Sequence, residues 1–506
     1  MNKGTSRLKI HLIMAPTNFE LNYGDMGKGI DPPLGILYIA SYIRKKAPLD
    51  YDIFITDGIL DGYEKTLKEV LKVKGDIIGI SAVTLNILGA YRLIDAIKER
   101  MPEVKVILGG PHPTALPEEA FYRSHPDVVV IGEGEVTFKE LVFAFQSGKA
   151  SLDDLMDIDG ICLLANDKPV RTKPRRFISN LDEIPFPARD LVDMRRYTGH
   201  PMKRGAGLST GYLSSRGCPF RCTFCSNNVW RTSTPPYRKR SPENIADELE
   251  ELKERGFDEV FDQSDEFNTN IKHSKKVLRE IIDRNLKMNI KCQLRAKPID
   301  DELVELMKQA GVWYVHLGIE SGNEETLLGI RKKVTLKDVE NCCELLQRHQ
   351  IRVWGLFMYF NIWEDNGSLC YENYDMSMKT FEYAKSLYKR KLINFFGGSI
   401  TTPVPGSKLW SIALRHNLIK EECIGNYDLW FYKRDLRLVS KLPGLPESDI
   451  FKLHQKTYKF TIRAFLRERV LTFHNIAYAV RRTVYYLKRG LLLSFKRLPF
   501  FMKNRA

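Results

Sequence analysis

Three cysteines lie close together in the stretch SSRGCPFRCTFCSNN, at Cys218, Cys222 and Cys225. A structural zinc site needs four ligands and a disulfide needs two, whereas this C-x3-C-x2-C spacing supplies three thiolates. Thiolates are soft ligands that select zinc, copper(I) or iron–sulfur clusters. Iron–sulfur clusters usually take four cysteines, and none of the other six cysteines forms a C-x2-C pair. The motif therefore predicts a [4Fe-4S] cluster with three protein ligands and one open iron; incidental or zinc-bound cysteines are the alternative.

The elements that position this motif alternate between strand and helix. From Gly211 onward there are about six strand signals, GYLSS, DEVFDQSD, NIKCQLRA, WYVHLGIE, RVWGLFMYF and INFFGGSI, with helical periodicity between them. One helix has Ser241 as its N-cap and Pro242 at its first position. Six βα units predict a partial TIM barrel, a (β/α)6 fold, with functional residues at the C-terminal ends of its strands. The cysteine motif follows the first of these strands.

The motif also resembles a known family. A CxxxCxxC with an aromatic residue, here Phe224, before its last cysteine is similar to the signature of the radical S-adenosylmethionine (SAM) superfamily. The resemblance implies that the open iron binds the amino and carboxylate groups of SAM. It also implies that reduction of the cluster splits SAM into methionine and a 5′-deoxyadenosyl radical, which takes hydrogen from an unactivated carbon.

Polar residues at other strand ends extend the resemblance. By analogy with the family, SAM-binding residues are expected at Glu320 in LGIESG, Asp265 and Glu266 in DQSDEF, and Arg295 after the third barrel strand. An acidic residue at a strand end is as often a helix cap, but these residues all fall at the C-terminal ends of the predicted barrel strands. PVPGSKL at 403–409 matches the expected turn after the sixth strand, whereas GLFMYFNIWEDNG replaces the family's Gly-Pro motif on the fifth.

The first part of the chain has a different strand and helix pattern. Residues 8–145 alternate short apolar runs with helical segments, which indicates βαβ units and a doubly wound, Rossmann-like parallel sheet of roughly five strands. Ligands of such sheets bind beyond the carboxyl ends of the strands. The loops at those ends contain SAVT, GGPHPT and GEGE.

These segments resemble the radical SAM subfamily with an N-terminal cobalamin-binding domain. The similarity is carried by PPLGILYIASYIR, GGPHPT and VVIGEGEVTFKEL, with NLDEIPFPARDL similar to the subfamily's linker. The expected cobalamin-binding residues offer hydroxyls or allow close backbone approach, and they are Ser81, Thr84, Gly109, Gly110, Gly132, Glu133 and Gly134. The alternative is that the glycines only make tight turns in a domain that has lost its ligand.

A histidine below the cobalt is not expected. Many cobalamin domains carry D-x-H-x-x-G after the first strand, but the first loop here, 15–34, contains no histidine. DGILDG has Ile59 at the histidine position and follows the second strand, so its spacing is a coincidence. His112 is interpreted as a loop residue rather than a ligand.

Composition and length set the domain plan. A chain of 506 residues predicts several domains: 1–150 for cobalamin binding, a linker over 151–205 with irregular structure, the radical SAM barrel over 206–418 and a helical, basic region over 419–506. The first apolar run is interpreted as a strand rather than a signal peptide, and no run approaches the ~18 residues of a membrane span. We expect a cytoplasmic protein, and nine cysteines without a framework fit a reducing compartment.

Positive charge is concentrated at the C-terminus. The net charge is +15, and residues 451–506 contain 14 Lys and Arg against the single acid Glu468, so this tail contributes +13. RRTVYYLKRGLLLSFKRLPFFMK interleaves basic and apolar residues, which suits a helix on the anionic inner face of a membrane. The alternative is a set of helices packed across the barrel with a solvated basic face. No RNA-binding motif is present, so nucleic acid is not an expected partner.

The sequence thus predicts a cobalamin-dependent radical SAM methyltransferase that acts on an unactivated carbon of a small-molecule or lipid substrate. By analogy it uses methylcobalamin and an external ferredoxin- or flavodoxin-type reductant. The alternatives are a radical cyclase or rearrangement enzyme similar to anaerobic porphyrin-ester cyclases, and a non-catalytic electron-transfer protein, which would not need an open iron. Methylthiotransferases need three more cysteines in the first domain, and none precedes Cys162. Tyr359, Tyr23 and Cys292 are conceivable hydrogen donors.

Overall fold

The computed structural model describes residues 7–17, 31–47, 51–197, 203–204, 207–431 and 439–471. The first sheet has seven strands: β1 Leu8–Met14, β2 Tyr51–Asp57, β3 Ile77–Ser81, β4 Lys105–Gly109, β5 Val128–Val130, β6 Ile161–Ala165 and β7 Lys168–Arg171. Their spatial order is β2-β1-β3-β4-β5-β6-β7, and β1 to β5 are parallel. The 2-1-3-4-5 order is that of a doubly wound sheet, which confirms the predicted class of the first domain.

Helices cover both faces of this sheet. They are α1 Leu34–Lys46, α2 Gly58–Asp61, α3 Tyr63–Val73, α4 Ile87–Arg100, α5 Pro111–Ala115, α6 Glu119–Arg123 and α7 Gly134–Gln146. Successive side chains of a strand point to opposite faces, so β1 serves two cores. Leu12 belongs to the core that contains Phe138 of α7, and Ile13 belongs to the core that contains Leu93 of α4.

The prediction of irregular structure between residues 150 and 200 is wrong for its first part. After the short helix α8, Leu152–Met156, the strands β6 and β7 form a hairpin that pairs antiparallel with β5. Asn166 and Asp167 at its turn have φ of 50° and 60°, as expected for the turn type that suits a two-residue hairpin. The remaining described residues of this span, 172–197, have no strand and contain three single 3-10 turns, Leu181–Glu183, Arg189–Leu191 and Met194–Arg196.

The second sheet confirms the predicted partial barrel. Its strands are β8 Leu208–Tyr212, β11 Phe257–Asp262, β12 Asn289–Leu294, β13 Val312–Glu320, β14 Arg352–Tyr359 and β17 Phe395–Ile400. All six are parallel and follow the order β17-β14-β13-β12-β11-β8. Two short antiparallel ribbons accompany the sheet: β9 Ser215–Arg216 with β10 Arg238–Lys239, and β15 Ile362–Asp365 with β16 Ser368–Tyr371.

Helices pack against the outside of this half-barrel. They are α9 Pro242–Glu254, α10 Ile271–Asp283, α11 Asp301–Gln309, α12 Glu324–Gly329, α13 Leu336–Arg348, α14 Tyr374–Lys389 and α15 Lys408–Arg415. The Ser241 side chain accepts a hydrogen bond from the Asn244 N–H, and Pro242 occupies the first position of α9, as predicted. Along β14, buried residues such as Phe357 face the helices and alternate with partly exposed residues such as Leu356 on the inner face.

The C-terminal region contacts both domains. It contains the 3-10 turn Glu421–Cys423 and the helices α16 Asp428–Phe431 and α17 Glu447–Leu471. Phe460 of α17 stacks on Phe396 of β17 with ring centroids 5.3 Å apart, and the Tyr427 hydroxyl donates to Glu119 of α6 over 2.8 Å. The predicted membrane segment, 481–503, lies outside the described residues. Within the described ranges, no helix is both long and apolar enough to cross a bilayer.

Candidate functional site

The cysteine loop is fixed at the C-terminal edge of the barrel sheet. The loop follows β8 and lies between the two strands of the β9–β10 ribbon. The Thr223 N–H donates a hydrogen bond to the carbonyl oxygen of Ile330, after β13, and the Thr223 carbonyl oxygen accepts one from the N–H of Leu409, after β17. Arg231 donates to the carbonyl oxygens of Cys218 and Phe220. The backbone of a segment that lacks regular secondary structure is thereby held from three sides.

Gly217, immediately before the first cysteine, is required by the path of the loop. Its φ is +78°, a conformation that favours glycine, and a Cβ there would lie 2.0 Å from the carbonyl oxygen of Pro236. The loop therefore turns where no side chain fits.

The three thiols suit a metal cluster by their chemistry. All three are free, and burial raises the pKa of Cys218 to about 12 and that of Cys225 to about 11. Such thiols ionise only when a cation compensates their charge, as a bound metal does. As the side chains stand, no three His, Cys, Asp or Glu groups in the described part of the chain are close enough to hold a metal ion. The ligation of a cluster by Cys218, Cys222 and Cys225 therefore stays a prediction.

A buried ion pair lies beside the loop. Lys332 Nζ is 3.0 Å from Glu320 Oε1, and both side chains are almost fully buried. Burial opposes the charge of Lys332, but the Glu320 carboxylate together with the nearby Cys222 and Glu266 outweighs it, so the pKa of Lys332 is raised. Glu320 has a φ of +70°, which strains a residue other than glycine and is typical of functional positions.

Arg295 has a buried guanidinium with unused hydrogen-bonding capacity. It is 1% exposed, and none of its three side-chain nitrogens has a hydrogen-bond partner. Its nearest carboxylate oxygen, on Glu266, is 3.6 Å away, and its guanidinium lies over the Phe220 ring at 3.9 Å. The second oxygen of Glu266 is also buried without a partner. A ligand that carries both a carboxylate and an ammonium group, as SAM does, would satisfy this pair.

Asp265 follows β11 and lies next to the cysteine loop. It keeps accessible surface although protein surrounds it, and burial raises its pKa to about 6. The Asn227 side chain and the Gly217 backbone lie within hydrogen-bonding reach and moderate this rise. The structure thus brings all four predicted SAM residues to the edge that carries the cysteine loop, while their roles toward SAM stay predictions.

The loops of the first domain contact the cysteine loop. Helix α5, in the GGPHPT segment, packs against the 3-10 turn Ser226–Trp230. A Cβ on Gly132, whose φ is +87°, would lie 2.9 Å from Thr232 Oγ1. Glu133 pairs with Arg216 at 3.3 Å and with Arg238 at 2.6 Å, and Glu135 pairs with Arg216 at 2.6 Å. These four charged residues, Glu133, Glu135, Arg216 and Arg238, form an interdomain ion cluster next to Cys218.

The other predicted cobalamin residues follow the strands of the first sheet. Ser81 ends β3 between β1 and β4, and Gly134 begins α7. Gly110 has a φ of +105°, and its Cβ would lie 2.5 Å from the Ala82 carbonyl oxygen, so its turn alone requires glycine. A Cβ on Gly109 would meet no atom closer than 3.6 Å, so this position leaves room for a ligand. Cobalamin binding by these residues stays a prediction.

His112 is engaged within the protein. It is fully buried in α5, its Nδ1 is 3.1 Å from Thr84 Oγ1, and its ring meets Tyr427 edge-on at 4.7 Å. This arrangement supports the interpretation of His112 as a structural residue. It also means that the hydroxyl of Thr84, a predicted cobalamin-binding residue, is already engaged in a hydrogen bond with His112. Ile59 belongs to α2, whose N-cap is Asp57.

Two of the three conceivable hydrogen donors, Tyr359 and Cys292, do not face the inside of the barrel. By strand alternation, Tyr359 and Cys292 lie on the same side as buried residues that pack on the helices. Tyr23 lies outside the described residues.

Sequence reasoning missed the charged residues around the loop. Lys332, Arg231, Arg216 and Arg238 carried no motif, because their partners are 11 to 105 residues away along the chain. Only the concentration of arginines on both sides of the cysteines gave a sequence signal.

Comparison with known proteins gives the family. The B12 binding domain family matches residues 27–142, and the Radical SAM superfamily matches residues 212–366. The chain is 30% identical over 495 residues to the uncharacterized methyltransferase PH0819 of Pyrococcus horikoshii, covering 96% of this chain and 98% of that protein. The chain therefore belongs to the radical SAM superfamily, with an N-terminal B12 binding domain.

Other relatives match less completely. The anaerobic magnesium-protoporphyrin IX monomethyl ester cyclase of Rubrivivax gelatinosus is 31% identical over 329 residues, or 63% of this chain and 57% of the cyclase. The cobalamin- and [4Fe-4S]-bound structure of the radical SAM methyltransferase TsrM from Kitasatospora setae aligns with a TM-score of 0.63 at 18% identity. That alignment covers 81% of this chain and 75% of TsrM, and it shows the shared fold.

Proposed function

We propose that the protein is a cobalamin-dependent radical SAM methyltransferase that methylates an unactivated carbon of a small molecule. The observation that carries the proposal is that the two candidate cofactor sites, one in each domain, are in contact. The free thiols and the unsatisfied Arg295 lie at the C-terminal edge of the barrel, and the strand-end loops of the B12 binding domain lie directly against that edge. Methyltransferases among its relatives, including PH0819, support the same reaction class.

In this proposal each set of residues has a defined task. Cys218, Cys222 and Cys225 hold a [4Fe-4S] cluster, while Arg295 and Glu266 bind the charged groups of the SAM methionine moiety. When bound, the cluster supplies one electron for SAM cleavage and cobalamin carries the methyl group. The backbone near Gly109 leaves space for the cobalamin ring, and the interdomain ion cluster holds the loop that contains Glu133 against the segment that carries the cysteines.

A radical cyclisation is the second candidate, because the cyclase of Rubrivivax gelatinosus is as similar in identity as PH0819 is. The two reactions differ in their SAM products. Methyl transfer through cobalamin consumes one SAM as a methyl donor and yields S-adenosylhomocysteine, whereas cyclisation yields 5′-deoxyadenosine alone.

The test is anaerobic reconstitution with iron, sulfide and hydroxocobalamin, followed by incubation with SAM and a strong reductant. We expect both 5′-deoxyadenosine and S-adenosylhomocysteine, quantified together by mass spectrometry. 5′-Deoxyadenosine without any S-adenosylhomocysteine would favour the cyclase reading. Neither product, from protein with a full cluster, would contradict both candidates.

A pair of cysteine variants tests the cluster. Cys222→Ala should lose the iron–sulfur absorbance and both products. Cys370→Ala, which removes a free and partly exposed thiol in β16, should keep them. Equal iron content in the two variants would refute the ligand assignment.

We further propose that a ferredoxin- or flavodoxin-type protein reduces the iron–sulfur cluster.

We also propose that the basic tail contacts anionic membrane surfaces. Residues 472–506 contain eight Lys and Arg and no acidic residue. Each such charge near an anionic surface contributes about 1 kcal/mol. Protein truncated after 471 should lose sedimentation with phosphatidylserine vesicles that the full chain shows, and equal sedimentation of both would contradict membrane contact.

A further inference from the structure

The cysteine loop is covered by protein on two sides. The first domain covers one end of the loop through α5, which contacts the turn Ser226–Trp230. The barrel edge covers Phe220, whose ring centroid is 3.9 Å from the guanidinium carbon of Arg295. Pro219 and Arg221, the two neighbours of Phe220, are exposed. Between the two covered sides, the loop therefore has a side that is open to solvent.

The turn that follows α12 lies against the cysteine loop. The Cys222 thiol donates a hydrogen bond to the Arg331 carbonyl oxygen over 3.7 Å, and the Thr223 N–H donates one to the Ile330 carbonyl oxygen. The side chain of Arg331 is exposed. Cys222, a predicted cluster ligand, is therefore one hydrogen bond away from a residue of the molecular surface.

This turn directs three successive cations to different places. Lys332 is buried and pairs with Glu320. Its two neighbours, Arg331 and Lys333, have φ of 56° and 55°, and both are exposed. The left-handed backbone on either side of Lys332 thus accompanies one inward cation and two outward cations.

Two further exposed cations lie beside the loop. Arg221 belongs to the loop itself, and Lys408 begins α15, whose next residue donates its N–H to the Thr223 carbonyl oxygen. We call Arg221, Arg331, Lys333 and Lys408 the basic rim. Within the described part of the chain, none of these four side chains has a hydrogen-bond or ion-pair partner. The charge of the basic rim is therefore available to a partner molecule.

An exposed leucine accompanies the basic rim. Leu328 of α12 is 81% exposed, and its carbonyl oxygen accepts a hydrogen bond from the Arg331 N–H. Glu324 and Glu325 begin the same helix, and Glu324 accepts a hydrogen bond from the Leu336 N–H. Two carboxylates against four cations leave this surface positive. Apolar contact area next to unpaired charge is typical of protein–protein interfaces.

We propose that the basic rim docks the protein that reduces the cluster, a small electron carrier whose surface is acidic around its own cofactor. The inference rests on the proposed function, because that function places the cluster on Cys222, next to Arg331. One electron passes from the reduced carrier to the cluster, and no covalent bond forms or breaks. Charge complementarity of this kind mainly raises the association rate, so the rate of reduction is the quantity to measure.

Reduction of the reconstituted full chain by flavodoxin hydroquinone tests the docking. Rapid mixing and freezing, followed by the EPR signal of the reduced cluster, gives the second-order rate constant. Arg331→Glu/Lys333→Glu should lower this rate constant at least about tenfold at low ionic strength. An increase of ionic strength from about 0.02 M to about 0.3 M should slow wild type and leave the variant nearly unchanged. Equal rate constants for wild type and variant would overturn the proposal.

A matched pair of lysines at the other end of the barrel provides the control. Lys287 and Lys308 are exposed and precede β12 and β13, whereas the cysteine loop lies at the C-terminal ends of the strands. Lys287 has a φ of 50°, similar to that of the two rim residues. Lys287→Glu/Lys308→Glu makes the same change in net charge and should keep the wild-type rate constant. An equal loss in both double variants would show a general effect of net charge and overturn the assignment to the basic rim.

Lys408→Glu is the second variant, because the double substitution could disturb the turn after α12. Lys408 lies outside that turn, and its replacement alone should lower the rate constant at least about threefold. A membrane is the other occupant that a basic surface could have. If Arg331→Glu/Lys333→Glu lost sedimentation with phosphatidylserine vesicles but kept its rate of reduction, the basic rim would be a lipid surface and the proposal would be wrong.

Dithionite separates this inference from the proposed function, because a small anion needs no docking surface. With dithionite, wild type and Arg331→Glu/Lys333→Glu should form 5′-deoxyadenosine from SAM at similar rates. Absence of this product in wild type that holds a full cluster would count against the proposed function. Its loss in the variant alone would mean that the substitutions damage the cluster site, which would overturn the docking assignment.

Discussion

Lys332 is one of the charged residues that sequence reasoning missed, and it pairs with a predicted SAM-binding residue, Glu320. It is buried, it neutralises Glu320 at 3.0 Å, and its charge is felt by Cys222 and Glu266. A buried pair of this kind contributes little net stability, but removal of one partner leaves an uncompensated charge in the interior. Lys332 therefore holds the Glu320 carboxylate in an ion pair at the position where the family resemblance predicts contact with SAM.

Replacement of Lys332 with Met tests this role. Lys332→Met should weaken SAM binding at least about tenfold and destabilise the protein by about 3 kcal/mol, because Glu320 is left buried without its partner. Binding is measured by equilibrium dialysis with labelled SAM. Lys333→Met, at the exposed neighbouring position, should change neither quantity. If the double variant Glu320→Gln/Lys332→Met recovers stability and also SAM affinity, the pair has only a structural role.

Asp31 should make stability depend on pH. Burial raises the pKa of its carboxyl from 3.8 to about 6, so the folded protein holds this proton more tightly than the unfolded chain. The resulting stabilisation is complete below about pH 4 and is lost as pH rises through 6. Asp31→Asn should therefore gain stability relative to wild type between pH 5 and pH 8, by about 1–2 kcal/mol. Thermal unfolding of wild type and Asp31→Asn at pH 5 and at pH 8 measures this gain. The same stability difference at both pH values would show that folding does not raise the pKa of Asp31.

Residue types alone revealed part of the site. The cysteines could be predicted because their ligand spacing is local, and Glu320, Asp265, Glu266 and Arg295 because strand ends of a barrel converge. The state of those residues could not be predicted. That Arg295 lacks hydrogen-bond partners, or that Glu133 is paired with arginines of the other domain, depends on contacts between segments far apart in sequence.

At the scale of elements, the cysteine loop depends on Gly217. Gly217→Ala would place its Cβ 2.0 Å from the Pro236 carbonyl oxygen, so the loop must move away from β10. We expect loss of most cluster iron and of the charge-transfer absorbance after reconstitution.

Gly256 provides the control, because its φ is +84° and its Cβ would meet nothing within 4 Å. Gly256→Ala should cost about 1–2 kcal/mol of stability from backbone strain and leave the cluster intact. Equal iron loss in both variants would mean that strain, rather than the contact with Pro236, is responsible.

Elements that contain long apolar runs could be predicted from the sequence, and short elements without such runs could not. All six barrel strands and the five parallel strands of the first sheet were identified, because buried parallel strands are continuous apolar runs. The β6–β7 hairpin escaped because β7, KPVR, has no buried residue and contains a proline, and its pairing depends on the free edge of β5.

At the scale of the whole molecule, the interdomain ion cluster connects the two proposed cofactor sites. Arg216 lies two residues before Cys218 and pairs with Glu135 of the first domain at 2.6 Å with both side chains buried. Charge-assisted hydrogen bonds of this kind contribute about 1.5–3 kcal/mol.

Glu135→Gln should therefore loosen the contact between the domains and lower S-adenosylhomocysteine formation at least about fivefold, while 5′-deoxyadenosine formation persists. Glu140→Gln, one turn further along α7 and paired with Arg175 near the surface, is the matched control and should keep both products. A parallel fall of both products in Glu135→Gln would indicate general destabilisation instead.

The β6–β7 hairpin has a consequence for dissection of the protein. A fragment that ends at residue 150 would leave β5 as a bare strand edge, with unpaired N–H and C=O groups that invite self-association. A fragment that ends at 175 would keep the edge covered by its own antiparallel strands. The shorter piece should form aggregates that bind thioflavin T, and the longer piece should stay dispersed, so the first domain as a folding unit extends past the boundary that the parallel strands alone suggest.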